Sequence, residues 1–356
     1  TYYRDTVTRP STIPKDLFAA SVQAMNEGML RNPFVHWDKS QGDNPFKCAC
    51  DTPRTSNIHE CCDCNQKSII PTRVLEEEQW KQKNAQEDDS HSEEDHMDYV
   101  HGCGVTVDWL LAFTFDHDCW NRPTWWVNRH IIKEATRNSR CRYMHLPEMK
   151  KYARKATVFA SHCWGSKFGD VVMALAHGAR ADRTVWVDLF AVRQWAGNVG
   201  DLRFRGLIGK CDAIIVSFSP VEGLKKCMDY NEDRDAYLAT PEGKAAIRRI
   251  PTFRLWCNVE IGEGVKRNLP VVVKSGQAVL KEQEQEDDSD VYVYDIDCTG
   301  DMMENLSHMI DVEASNSTVQ TDYDREMKIV KAMEGGVQRV NDTVSGVVVG
   351  AILSIQ

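Results

Sequence analysis

The segment Thr157-Val-Phe-Ala-Ser-His-Cys-Trp-Gly-Ser-Lys-Phe-Gly-Asp170 decides how the chain is read. Its first residues are β-branched, aromatic or small and apolar. Polar residues and glycines follow, and then Val171, Val172, Leu175 and Ala176 recur at helical spacing. That order is strand, loop, helix. In an open parallel sheet such a loop lies beyond the carboxyl end of its strand, where ligands bind, so Ser161, His162 and Trp164 are expected to face a crevice. Gly165 and Gly169 would let backbone approach a ligand and start the helix.

Two later stretches complete the constellation. Thr184-Val-Trp-Val-Asp-Leu-Phe-Ala-Val-Arg-Gln-Trp195 predicts a second apolar strand over 184–190 that carries Asp188 to the same sheet edge. Phe253-Arg-Leu-Trp-Cys-Asn-Val-Glu-Ile261 predicts a helix with Trp256 and Glu260 four apart on one face. A carboxylate on so apolar a helix is costly unless it is paired or used. Between them, Phe204, Leu207, Ile208 and Cys211 mark a helix face and Ala213-Ile-Ile-Val-Ser-Phe218 a buried strand, and Leu269-Pro-Val-Val-Val-Lys274 follows as another. Strand and helix alternating in this way imply an α/β fold, a doubly wound parallel sheet covered on both faces. The 193–201 loop, long and glycine-containing, suits a mobile ligand or partner loop.

Ser161-His-Cys-Trp164, Trp186-Val-Asp-Leu-Phe-Ala-Val-Arg-Gln194 and Leu255-Trp-Cys-Asn-Val-Glu260 resemble motifs of Toll/interleukin-1 receptor (TIR)-like domains and of the related fungal heterokaryon-incompatibility domains. More closely, the chain resembles a group of algal and protist proteins with Ser-His-x-Trp and Trp-x-Asp-x-Phe-Ala-Val. The resemblance covers roughly residues 157–275, and its first motif has His-Cys-Trp where receptor-type domains carry Phe/Tyr-Arg. It implies a flavodoxin-like sheet. The Trp-Cys-x-x-Glu element is similar to the one that holds the catalytic glutamate in plant-type TIR domains that cleave NAD, which gives Glu260 that role.

On this reading Glu260 serves cleavage of the nicotinamide–ribose bond, stabilising oxocarbenium-like charge on ribose or orienting water. Trp164 or Trp256 would stack a base, Ser161 and the turn around Gly165 and Phe168 would hold ribose or phosphate, and Asp188 would orient Ser161, His162 or a ribose hydroxyl. Arg193 joins the expected nucleotide-binding set. Against this, Glu260 could be a structural carboxylate paired with Arg254 or Lys266. A hydrolase built on Cys163 or Cys257 with His162 and Asp188 is a weaker alternative, because neighbours in a strand point to opposite sides. His162 reads more readily as a loop anchor than as a base. The non-enzymatic alternative is a TIR-like scaffold or structural subunit acting through self-association or other protein subunits.

The 356 residues suffice for two domains or one large one, and a net charge of −10 argues against a general nucleic-acid or anionic-membrane binder. No run approaches the ~20 apolar residues of a membrane helix. Of 13 cysteines, Cys103, Cys141, Cys163, Cys211, Cys227 and Cys257 sit in or beside apolar segments, as reduced core thiols do, and this favours an intracellular, reducing compartment. A start at Thr1 is compatible with a targeting segment removed ahead of it.

The domain plan follows composition. Residues 1–84 carry a cysteine cluster in which Cys48, Cys50, Cys61 and Cys64 offer four soft ligands for zinc, or else form a loop of free or disulfide-linked thiols. Residues 85–98 are acidic and read as a solvated linker. Residues 99–150 are tryptophan-rich, and we expect core or interface packing from Trp109, Trp120, Trp125 and Trp126. Residues 151–280 form the α/β domain, 281–290 a second acidic loop, and 291–356 an added strand followed by a helical extension.

Overall fold

In this computed structural model, which describes residues 3, 6, 7, 9, 82–83, 92–220, 234–281, 291–296, 306–317 and 320–353, the predicted strand-and-helix alternation builds a five-stranded sheet. Its strands are β2 (Val105–Thr106), β3 (Val158–His162), β4 (Thr184–Trp186), β5 (Ala213–Phe218) and β6 (Val271–Ser275), in the spatial order β2-β4-β3-β5-β6. The last four are parallel and β2 is an antiparallel edge. A smaller antiparallel sheet joins β1 (Thr6–Val7), β8 (Val291–Asp295) and β7 (Gln277–Lys281), in that order.

Every residue of β3 is buried, as expected of a strand covered on both faces. Alternation sends Phe159 and Ser161 to one face, Ala160 and His162 to the other. On the first face Phe159 stacks on Trp186 at 4.9 Å between ring centroids. The helices α1 (Glu93–His101), α5 (Phe204–Ile208) and α6 (Leu255–Lys266) cover that side, and Trp186 Nε1 donates to the Val100 carbonyl at 3.1 Å. Gly264 on α6 lies where a Cβ would meet Ile214 and Val271 of the sheet, so the helix sits closer than an alanine would allow.

The second face carries α2 (Val107–Asp116) and α3 (Phe168–Ala176). All nine residues of α3 are buried, because this helix is held between the main sheet, α2 and the small sheet. A helix apolar all round needs such a site. Its one carboxylate, Asp170, accepts from the Ala278 N–H at 2.9 Å and so ties the two sheets together. Trp109, Phe113, Tyr143, Phe168 and Phe190 interlock on this side by edge and stacked ring contacts. Trp120 stacks on Tyr292 at 3.9 Å. Trp109 and Trp120 are therefore core, as expected, while Trp125 is half exposed.

Beyond the sheet, α7 (Gln320–Ala332) and α8 (Gly336–Leu353) form a helical pair, with α8 packed on α6 and β6. Among the described residues no helix is long and apolar enough to cross a membrane.

Several sequence expectations change. The acidic 85–98 stretch is not all linker: Ser92 caps α1 by accepting from the Asp95 N–H, and His96 and Met97 face inward. Residues 84–91 and 282–290 lie outside the described residues. The 184–190 strand ends at Trp186, and a short helix α4 (Asp188–Ala191) takes up Leu189 and Phe190. The added strand at 291 is the centre of the second sheet, whose β7 had no separate signal in the sequence. Gly169 does not open onto a ligand: a Cβ there would stand 2.5 Å from the Trp120 carbonyl oxygen.

Candidate active site

The ends of β3 and β4 and the middle of α6 bring the predicted carboxylate, hydroxyl and aspartate together. Ser161 is the last residue but one of β3 and points to the α6 side, where its Oγ donates to Glu260 Oε2 at 2.6 Å. Glu260 is 6% exposed. Neither ion pair weighed for Glu260 forms. Lys266 lies 3.9 Å from Glu263, which also accepts from Arg267 Nε at 2.7 Å. Ser161 alone bonds the Glu260 carboxyl among the described residues.

Removal from water raises the Glu260 pKa well above the usual carboxylate range. The nearby Cys257 and Asp188 add to the rise, and the Ser161 hydrogen bond opposes it. Burial thus favours the protonated, uncharged form of Glu260 as long as nothing cationic lies beside it.

Asp188 opens α4 one residue after β4, its side chain 24% exposed. The indole Nε1 of Trp164 donates to Asp188 Oδ2 at 2.7 Å, which fixes the half-buried Trp164 ring across the rim. His162 is buried on the opposite side of β3 from Ser161, and its Nε2 lies 3.9 Å from Asp188 Oδ1. Burial lowers the imidazole pKa, so His162 is neutral, with the Asp188 charge acting the other way.

Cys257 closes the floor, with Sγ 3.5 Å from the His162 carbonyl oxygen. Its hydrogen bond to Cys163 and its burial push the thiol well above its usual pKa. It touches the His162 backbone and not the ring, so Cys257 is not paired with a base. The six cysteines among the described residues are all free, and only Cys141 is not fully buried.

Phe168, Trp256 and Arg193, assigned to nucleotide binding, pack or pair elsewhere. Phe168 is fully buried in the aromatic core, because it is the first residue of a helix wrapped on every side. Trp256 turns to Phe204, 5.1 Å between centroids, with the Arg325 guanidinium over its ring. Gly165 lies against the Arg248–Arg249 backbone and stem. Arg193 is 2% exposed and bonds Asp201 through its backbone N–H, Nε and Nη2 at 2.9 to 3.1 Å.

Asp201 was not legible as a key residue. Arg142 donates to its Oδ1, and His96 Nε2 lies 3.2 Å away. Burial by itself would raise its pKa, but the His96 ring beside it and the charges of Arg142 and Arg193 reverse this and hold it far below the usual range. Asn198 Nδ2 donates to the Arg193 carbonyl at 2.7 Å. The 193–201 loop is thus pinned at both ends, where its composition suggested mobility.

Cys48, Cys50, Cys61 and Cys64, the candidate zinc ligands, lie outside the described residues. Among the described residues no group of three or more His, Cys, Asp or Glu side chains could hold a metal ion. No family model matches the chain, and neither a curated protein nor a solved structure matches it.

Proposed function

We propose that the protein cleaves the nicotinamide–ribose bond of NAD or a related nucleotide, with Glu260 as the catalytic carboxyl group, on a TIR-like, flavodoxin-like fold. The observation that carries the reading is a buried carboxyl bonded to a serine, without a cationic partner among the described residues, beside a second and partly exposed carboxylate.

Such a pair has a deficit of positive charge. A cationic nicotinamide ring entering beside Glu260 supplies it, favours ionisation, and leaves an anion where oxocarbenium-like charge develops as the C–N bond lengthens. Ser161 orients the carboxyl through its 2.6 Å bond. Trp164, anchored by Asp188, offers a stacking surface at the rim.

Strand order supports the same location. In chain order the four parallel strands are arranged 2-1-3-4, the order of flavodoxin-like sheets through their fourth strand, whose ligands bind where the order reverses. Here that point lies between β3 and β5, at Ser161, His162 and Ser217.

Incubation of the purified protein with NAD, followed by chromatography, is expected to yield nicotinamide and ADP-ribose. No release from the assembled, folded protein would remove the enzymatic reading and leave the scaffold role.

A further inference from the structure

Among the described residues, His162 Nε2, Asp188 Oδ1 and Ser217 Oγ at the carboxyl edge of the sheet are buried without a hydrogen-bond partner. His162 and Ser217 are register partners on the adjacent parallel strands β3 and β5, so their side chains project from the same face of the sheet. His162 Nε2 and Asp188 Oδ1 face each other across 3.9 Å, too far for a hydrogen bond. Orphaned buried atoms are uncommon and costly, and a pair aimed at one gap calls for an occupant.

The protonation state says what kind. The Ala160 backbone favours a proton on the imidazole. Because Nε2 has no partner, that proton sits on Nδ1 and leaves the Nε2 lone pair directed at Asp188. Two acceptors therefore confront each other, and the group that satisfies both must bring two donor hydrogens. Water does so, sitting off the line between the atoms at ordinary hydrogen-bond distance from each. The Asp188 side chain is 24% exposed, so the pair lies close to solvent although both facing atoms are buried. Trp164 Nε1 occupies Oδ2 and leaves Oδ1 for this purpose.

We propose that His162 and Asp188 hold the water molecule that attacks the ribose, with His162 Nε2 as the general base, while Glu260 acts from the opposite face of β3. This rests on the nucleotide-cleavage reading above. In the step, the water oxygen bonds to the ribose C1′ as the C1′–N bond breaks. The bonding pair moves onto the nicotinamide nitrogen, so nicotinamide leaves neutral. The water proton passes to His162 Nε2, and the imidazolium, stabilised by Asp188, returns it to solvent. The sum is NAD plus water giving ADP-ribose, nicotinamide and a proton.

The test separates water from other nucleophiles. Wild type and His162→Gln are assayed with NAD alone and with NAD plus 3-acetylpyridine, which attacks C1′ as a neutral base and needs no proton removed. Hydrolysis by His162→Gln is expected to fall by about 10²-fold or more, while pyridine exchange is retained. Equal loss of both reactions would mean that His162 only shapes the site and would overturn the proposal with cleavage intact. No nicotinamide release from wild type would instead remove the cleavage reading and the nucleophile with it. A high-resolution crystal structure of the wild-type protein gives a readout independent of turnover. An ordered water roughly 2.6–3.2 Å from both His162 Nε2 and Asp188 Oδ1 is expected. A direct histidine–aspartate bond, or a gap without solvent, would overturn the assignment.

Discussion

Asp201→Asn is expected to destabilise the folded protein by ~3–5 kcal/mol, read as a fall in the thermal midpoint of roughly 10 °C. The substitution preserves shape and removes charge. It leaves the Arg142 and Arg193 guanidiniums, both almost fully buried, without the carboxylate that they share, and the His96 ring without its acidic neighbour. The pH dependence has a definite sign. The folded-state pKa of Asp201 is depressed, so its contribution is complete above the unfolded-chain value of about 3.9 and is lost as pH falls below that towards the folded value. The gap in stability between wild type and Asp201→Asn should therefore be constant from neutral pH down to about pH 5 and close in acid. Denaturant titrations across this range decide it. A gap that is absent at neutral pH would show that the cluster is not a keystone of the fold.

Glu260→Gln should separate activity from stability. The buried carboxyl and the amide have nearly the same shape, and both can accept from Ser161. The folded protein should therefore change by about 1 kcal/mol or less. Nicotinamide release should fall by roughly 10²–10³-fold, because an amide cannot ionise to meet charge on the ribose. A variant equally weakened in stability and activity would make Glu260 a structural residue. Retention of activity would exclude it from the chemistry.

Period and composition made the core of the fold readable. The apolar run ahead of Ser161 and the four apolar residues at helical spacing after Asp170 became β3 and α3, because burial on both faces of a sheet and on all sides of a helix selects for apolar residues throughout. Where acidic residues dilute that signal, as at 93–101, a short cap and four inward-facing side chains were enough to make a helix that composition concealed. Strand β7 was hidden for a related reason: it continues β6 past a single glycine at 276, and three of its five residues are exposed.

The site was partly legible. Ser161 lies at the end of β3 and Asp188 just beyond β4, so topology sends both to one edge, and a carboxylate in the largely apolar stretch 253–261 marked Glu260. Phe168, Trp256 and Arg193 were misplaced because residue type alone does not say whether an aromatic or a guanidinium turns to the cleft or to the core. The Asp201 cluster had no local signature, since its partners stand at positions 96, 142 and 193 and meet only after folding.

The charge state of the buried carboxyl bears most directly on the whole account, and infrared difference spectroscopy reads it. The spectrum of wild type minus Glu260→Gln at neutral pH should contain the carbonyl stretch of a protonated carboxylic acid, and that band should vanish when NAD is added and its cationic ring ionises the group. A spectrum with carboxylate bands alone in the free protein would mean that Glu260 is an ordinary solvated or paired anion, and the catalytic proposal would not stand.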